Sequence, residues 1–456
     1  MGINSVLALL FCSTVFLANS LHLVSAQPFD YPTANLSTSW INSPSAPHSV
    51  QFTDGSLVRA TLLRGSFGPK FACGFYCNGK CDSYLFAVFI VQTNSGSGIV
   101  QPNIGFPQVV WAANRNHPVK INATLQLSSD GNLVLRDADG SVAWSTNTGG
   151  KSVAGLNLTE SGNLVLFNKR RAVVWQSFDH PTDALVPGQK LVAAQRLTAS
   201  VSKTNWAEAG LYSLVVNNKG LFAYIQSNPP QAYYERTVSG SETSKTPSYI
   251  KLLNGSLALY IHSAEPSEPS ETIPIPQASS AQYTKLESDG HLRVYEWQSG
   301  WKVVADLLTG FYGECAYPLV CGKYSICSNG QCSCPGSSST GATYFRQLIE
   351  KHPDLGCTEI TPLSCSASKN QKLFHVPDVT YFTFNSSISN TNVESCKQAC
   401  LRDCSCKAAV FRYGSDPSNG ECFLPKEVFS LMDNDMEKTH YNSSAFLKVQ
   451  NPRRVK

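Results

Sequence analysis

Ser128, Asp130, Asn132, Val134 and Arg136 alternate along one short segment, and residues two apart in a strand project from the same face. A face carrying a hydroxyl, a carboxylate and an amide offers hydrogen-bond donors and acceptors to a polar ligand. The same spacing returns at Thr159, Ser161, Asn163, Val165 and Phe167, and again at Glu287, Asp289, His291, Arg293 and Tyr295. Covalent chemistry has no comparable footing. The chain lacks a G-x-S-x-G elbow, an H-E-x-x-H pair and a dinucleotide-type glycine pattern behind a strand. Gly150-Lys151-Ser152 imitates the end of a phosphate loop, but Ser145 stands where the first glycine is needed. His180 lies between Asp179 and Asp183 without a further ligand cluster, so that segment reads as a turn. The expectation is a binding protein and not an enzyme, with no metal and no cofactor.

Cysteine usage gives the compartment. Of 16 cysteines, Cys12 falls in an apolar leader and 12 of the other 15 crowd between positions 315 and 422. Such density behind a leader reads as disulfides. Zinc is disfavoured by an oxidising compartment and by the lack of paired C-x2-C knuckles. The leader runs from Val6 through Ala18 to Val24-Ser25-Ala26, a small-residue cleavage pattern, so residues 1–26 read as a signal peptide. No later stretch reaches the roughly 18 apolar residues that span a bilayer, and nothing suggests a lipid anchor. Six N-x-[ST] sites, at Asn35, Asn122, Asn157, Asn254, Asn385 and Asn442, point to a secreted glycoprotein. Cys77 and Cys81 flank the turn sequence Asn78-Gly79-Lys80, which predicts a hairpin-end disulfide, Cys77–Cys81.

These residues need a scaffold, and the bulk numbers allow one. With 456 residues and 42% hydrophobic composition, several domains can fill real cores. A net charge of +4, with 15% of residues charged, implies no basic face and no nucleic-acid partner. Lys169-Arg170-Arg171 and the tail from Pro452 to Lys456 read as solvated loops. The first 300 residues read as short strands such as Asn163 to Phe167, bounded by Gly, Asp, Asn and Ser. One turn-and-strand unit recurs in SSDGNLVLR, TESGNLVLF, VNNKGLFAY, LLNGSLALY and ESDGHLRVY, at spacings of 31, 57, 36 and 35 residues. Such a unit cannot bury its apolar face alone and needs copies around an axis. Trp111, Trp144 and Trp175 lie in or beside apolar strands and are expected to fill that axis. The Ser-, Thr-, Pro- and Glu-rich stretch from about Arg236 to Ser280 reads as long loops.

VVWAANRNHPV around Trp111 and VWQSFDHPTDALVPGQKL around Trp175 resemble the two hallmark segments of the plant S-domain, the extracellular half of S-locus glycoproteins and S-domain receptor kinases. The chain resembles the secreted type of that family, of the epidermis-specific secreted glycoprotein kind, with no kinase. The resemblance implies a mainly β fold: tandem bulb-type lectin β-prisms, each of three four-stranded sheets, then a small disulfide-rich EGF-like module and an α+β PAN module. Expected limits are 49–165 for the first prism, 166–305 for the second, 311–357 for the EGF-like module and 365–449 for the PAN module.

Bulb-type lectins bind mannose through Q-x-D-x-N-x-V-x-Y, and every copy here departs from it. Ser128 and Arg136 replace the Gln and the Tyr of the first. The second keeps only Asn163 and Val165, the last only Asp289 and Tyr295, and the middle copies little beyond Tyr224 and Tyr260. Each unpaired sugar hydroxyl would cost about 1–3 kcal/mol. The site to test is therefore Ser128, Asp130, Asn132, Val134 and Arg136, with Asp-Gly and Ser-Gly setting hairpin turns throughout.

By the same resemblance, an EGF-like pattern pairs Cys315–Cys327, Cys321–Cys332 and Cys334–Cys357, with an insert at Ser337–Leu355. A PAN pattern pairs Cys365–Cys404, Cys396–Cys422 and Cys400–Cys406. Cys396 and Cys400, four apart in a segment that Asn392 can cap, would face a sheet together. Cys73 stands where relatives usually have an aliphatic residue, which implies a buried free thiol. The chain has two ways of acting open to it, both in the extracellular space or cell wall. One is glycan binding with weak or lost mannose affinity. The other is binding of peptide ligands or cell-surface proteins, with dimerisation through the modules as a further option.

Overall fold

The computed structural model describes residues 30–96, 98–100, 105–239, 246–310, 313–336 and 343–451. The expected signal peptide and its cleavage site lie outside them.

Three sheets built from residues 33–176 form the first prism. One is five-stranded, in the order Ser49–Gln51, Leu57–Leu63, Gly68–Cys77, Leu85–Thr93 and Gln108–Ala112. A second pairs Val142–Ser145, Leu133–Arg136, Thr124–Leu127 and Thr38–Ile41. The third pairs Thr33–Asn35, Val153–Leu158, Leu164–Asn168 and Val173–Gln176. Alternation decides which side faces in: Leu125, Leu127, Leu133, Leu135, Leu158, Leu164 and Leu166 are fully buried. Each sheet also sends one tryptophan to the axis. The rings of Trp111, Trp144 and Trp175 meet pairwise at centroid distances of 5.9, 5.9 and 5.7 Å, edge to face, a geometry worth about 0.5–1.5 kcal/mol per pair beyond burial. The Trp111 indole N–H donates to the His180 carbonyl at 2.8 Å, and the His180 ring stacks on Trp175. The segment 179–183 is thereby fixed as the turn out of the first prism.

The sheets of the first prism extend outside 49–165 at both ends. Ala34 pairs with Leu156 and Trp40 with Leu125, while Trp175 lies opposite Leu166. The leading strands are short and polar, with Trp40 their one large ring, so periodicity could not mark them. The five-stranded sheet likewise exceeds the four strands expected, because Ser49–Gln51 adds an edge.

Sheets built from residues 184–306 form the second prism, four strands in each. The stretch 236–280, expected as loops, contains three of them: Tyr249–Leu253, Ser256–Tyr260 and Glu271–Pro274. Ile250, Leu252, Leu257 and Leu259 alternate inward across the Asn254-Gly255 turn. The flanking serines and prolines masked that pattern. The connection from 261 to 270 is irregular, as are the described residues 246–248 and 275–280.

The C-terminal part adds a five-stranded sheet in the order Gln371–Pro377, Asn442–Gln450, Ala408–Tyr413, Gly420–Phe423 and Ile388–Thr391, with the helix Val393–Arg402 packed on it. Asn392 caps this helix by accepting the Ser395 N–H at 2.8 Å. Cys396 and Cys400 are its buried residues. A smaller sheet crosses the line between modules: Gln331–Ser333 and Ile326–Ser328 continue through Leu431–Asp433 to Val379–Thr380. Within the 337–355 insert, Phe345–Ile349 forms one arm of a hairpin whose other arm, His352–Glu359, runs on past the insert's end.

Disulfides join Cys77–Cys81, Cys315–Cys327, Cys321–Cys332, Cys334–Cys357, Cys365–Cys404, Cys396–Cys422 and Cys400–Cys406, and Cys73 is free and buried. No helix of the described residues is long and apolar enough to cross a membrane.

Candidate functional site

Ser128, Asp130 and Asn132 do not share a strand face. They occupy the tight turn between Thr124–Leu127 and Leu133–Arg136, and only Val134 and Arg136 lie on the strand. The turn is closed by backbone bonds from Ser128 N–H to Asn132 O at 2.9 Å and from Gly131 N–H to Ser128 O at 3.0 Å. Gly131 has φ +87°, and a Cβ there would come within 2.6 Å of Val153 Cβ. Glycine is required on both counts.

Inside this turn the polar groups satisfy one another. Ser128 Oγ donates its one hydrogen to Asp130 Oδ1, lies 2.8 Å from the Asn132 carbonyl and accepts the Asn132 backbone N–H at 3.1 Å. That hydroxyl bond, with the Asn132 N–H second, holds the Asp130 carboxyl below its ordinary range. Asn132 Oδ1 accepts from Ser145 Oγ at 3.0 Å, Thr146 Oγ1 at 3.1 Å and the Thr148 N–H at 3.2 Å. Arg136 is exposed and donates to the Gly140 carbonyl at 3.3 Å. Val134 is 9% exposed. Ser128, Asp130 and Asn132 converge, but as a lock that ties the turn to the neighbouring strand, and Val134 and Arg136 stand outside it.

The second copy repeats the lock. Thr159 Oγ1 accepts the Asn163 N–H at 2.9 Å, Asn163 Oδ1 accepts from Ser177 Oγ at 3.2 Å, and its amide donates to Gln176 Oε1 at 2.8 Å. Thr146 and Ser177 play matching parts, taking the N–H of Leu133 at 3.1 Å and of Leu164 at 2.9 Å. The residue pattern alone did not single them out, although both follow a tryptophan by two, in VAWST and VVWQS.

In the last copy the consensus positions are tied up by charge. Arg293 faces Asp289 at 2.9 Å, Tyr295 donates to Glu287 at 2.7 Å, and His291 Nδ1 lies 2.6 Å from Asp306. Burial opposes ionisation of Asp306, but bonding to His291 and the charges of His291 and Arg293 outweigh it and lower its pKa. Tyr317 and Glu314, from the cysteine-rich segment, cover His291. At the fourth copy Tyr260 stacks on Tyr249 at 4.7 Å, below the Lys190–Glu265–Lys251 cluster.

Residues 108–207 match the D-mannose binding lectin family, and residues 365–430 match the PAN-like domain. EP1-like glycoprotein 4 of Arabidopsis thaliana is 33% identical over 391 residues, 80% of this chain and 82% of that protein. The chain belongs to the EP1-like glycoprotein family. Epidermis-specific secreted glycoprotein EP1 of Daucus carota is 35% identical over 269 residues, 50% of this chain and 68% of that protein. A G-type lectin S-receptor-like serine/threonine-protein kinase of Arabidopsis thaliana is 27% identical over 426 residues, 85% of this chain but only 43% of the kinase.

The EP1-like chain thus combines a lectin-type domain with a PAN-like domain, in a family whose carrot member is named as secreted. Among its described residues no group of three or more His, Cys, Asp or Glu side chains could hold a metal ion. Asn35, Asn122, Asn254 and Asn385 are exposed, and Asn157 and Asn442 half-buried. The Asn442 amide already donates to the Gly414 carbonyl at 3.0 Å.

Proposed function

We propose that this EP1-like protein is a secreted, non-enzymatic glycoprotein of the extracellular space or cell wall that acts by binding, with mannose pockets that have become structural. One observation carries the reading. At the copy that keeps both the carboxylate and the amide, Asn132 Oδ1 is taken by three donors and Asp130 Oδ1 by Ser128. A sugar would have to displace bonds inside the fold, each worth about 0.5–1.5 kcal/mol, before gaining its own. Mannose binding at Ser128, Asp130, Asn132, Val134 and Arg136 is expected to be weak or absent. The six asparagines named above are the proposed glycan attachment points.

A second reading makes the protein a soluble interaction partner for peptide ligands or receptor ectodomains. The tie between the last copy and the cysteine-rich segment favours it, because a copy closed by its own chain has no room for sugar. A glycan array probed with the secreted, oxidised protein separates the two. Neutral mannose glycans that bind the wild type and are lost in Asp130→Ala would restore the pocket. Silence across the neutral glycans leaves the interaction reading standing.

A further inference from the structure

Away from the repeat copies, a cleft of about 430 Å³ opens beside the strands Thr38–Ile41 and Leu57–Leu63. Trp40, Ile41, Ser43, Ser45, Thr61 and Arg59 are among its lining residues. Ile41 is 56% exposed and Trp40 half-buried, so the cleft offers apolar and aromatic surface with hydroxyls around it. Arg59 is the unusual member, at 5% exposed.

Among the described residues the hydrogen-bond and ring partners of Arg59 are both neutral. Its Nη1 donates to Asn42 Oδ1 at 2.6 Å, its Cζ lies 5.1 Å from the centre of the Tyr84 ring, and its buried Nε has no hydrogen-bond partner. Asn42 is locked in this orientation, because its backbone N–H binds the Ala123 carbonyl at 2.8 Å and its side-chain amide the Lys120 carbonyl at 3.2 Å. Arg64, Arg115, Arg236 and Arg293 each face a carboxylate, whereas Arg59 faces none among the described residues. A guanidinium enclosed by protein and left without a counter-charge is costly, and its field is weakly screened where the wall excludes water. An anion entering the cleft offsets part of that penalty through the weakly screened field.

We propose that this cleft binds an acidic saccharide, with its carboxylate drawn to Arg59 and its ring against Trp40. The carboxylate supplies the charge that the enclosed guanidinium lacks, and an aromatic face beside hydroxyls suits a sugar ring. A cleft of about 430 Å³ falls in the range of small-ligand pockets. The site is independent of the Ser128–Arg136 turn, since the strand Thr124–Leu127 separates Thr38–Ile41 from Leu133–Arg136 in their common sheet.

The test is calorimetric titration of the secreted, oxidised protein with trigalacturonate and with its fully methyl-esterified form. The acid should bind and the ester should be weaker by about tenfold or more. Raising salt from about 20 to about 200 mM should weaken the acid. Ser45→Trp, which fills the exposed mouth, should also weaken it by about tenfold. Arg59→Met should abolish binding; if that variant does not fold, Ser45→Trp carries the test alone. Asp130→Ala should leave acid binding unchanged, and loss there would move the site to the repeat turn and overturn this one. Equal binding of the ester, no binding of the acid, or indifference to Ser45→Trp would each overturn it. So would tighter binding of an apolar peptide with a free C-terminal carboxylate than of the trisaccharide.

Discussion

The ring of Tyr317 lies flat on that of His291, with centroids 3.6 Å apart and planes 18° from parallel. One residue comes from the last lectin repeat, the other from the cysteine-rich segment, and the stack ties the two together. Asp306 and Glu314 bracket the imidazole at 2.6 and 3.2 Å, and the Tyr317 hydroxyl bonds to Thr309 at 2.9 Å. Tyr317 is 3% exposed, and removing a large buried ring costs about 3–5 kcal/mol. Tyr317→Ala should lower stability by that order and raise amide exchange through residues 313–336. Tyr317→Phe, which keeps the stack, should cost about 1 kcal/mol. Unchanged exchange in Tyr317→Ala would dismiss the contact as incidental.

Asn132 should behave as a structural residue. Truncation to alanine strands the hydroxyls of Ser145 and Thr146 and the Thr148 N–H, at about 1–3 kcal/mol in all. Asp130→Ala, on the exposed side of the same turn, should cost under about 1 kcal/mol. Chemical denaturation of both variants checks the ranking. A larger loss in Asp130→Ala would mean that the turn depends on the carboxylate instead.

Glu265 sets a pH dependence. Bonds from Lys251 and then Lys190 hold its carboxyl at about 2, below the ordinary 4.5. Since the folded value is the lower one, the stabilisation is full above about 4.5 and drains away as pH falls towards 2. The side chain is 37% exposed, so solvent screening limits the effect to about 1 kcal/mol or less. Glu265→Gln should be less stable than the wild type at pH 7, with the gap closing towards pH 2. A gap that stays constant across that range would mean that the cluster contributes nothing through charge.

Graded reduction should separate the prisms from the rest. Apart from Cys77–Cys81, all the bridges lie between Cys315 and Cys422, and removing a native disulfide from a small module costs about 2–5 kcal/mol. Because Ile326–Ser328 pairs with Leu431–Asp433, the two cysteine-rich modules should lose amide protection together and before the prisms. Prism protection lost first would reverse this ordering. Cys73 is fully buried, and burial pushes its thiol well above the ordinary value, with a bond to Thr61 opposing. It should resist alkylation in the native protein and be the one cysteine labelled after denaturation without reductant.

The sequence by itself determined the fold class and the order of lectin-type and PAN-like parts. The mainly β class rests on local signals, Leu-Val-Leu alternation with Asp-Gly and Ser-Gly turns, each readable within about ten residues, whereas the prism architecture and the order of parts follow from the resemblance of the segments around Trp111, Trp175 and Cys396 to the S-domain family. It also brought Trp111, Trp144 and Trp175 together, Trp111 buried and the other two half-buried against the same core, because large rings beside apolar strands pack best on one another. Tertiary structure decided the rest. The strands Thr33–Asn35 and Thr38–Ile41 exist because distant partners pair with them, and a polar four-residue segment has no periodicity strong enough to announce that. The strands within 236–280 were hidden by neighbouring serines and prolines that lie in the connections. At the repeat site, a spacing of two suggested one strand face, yet the Gly131 turn moved Ser128, Asp130 and Asn132 off the strand. Ser145, Thr146 and Thr148, 13 to 16 residues along the chain, then absorbed the Asn132 carbonyl. The isolation of Arg59 is of the same kind. Whether a buried charge has a partner depends on what non-local packing brings within about 4 Å of it, and no local pattern carries that information.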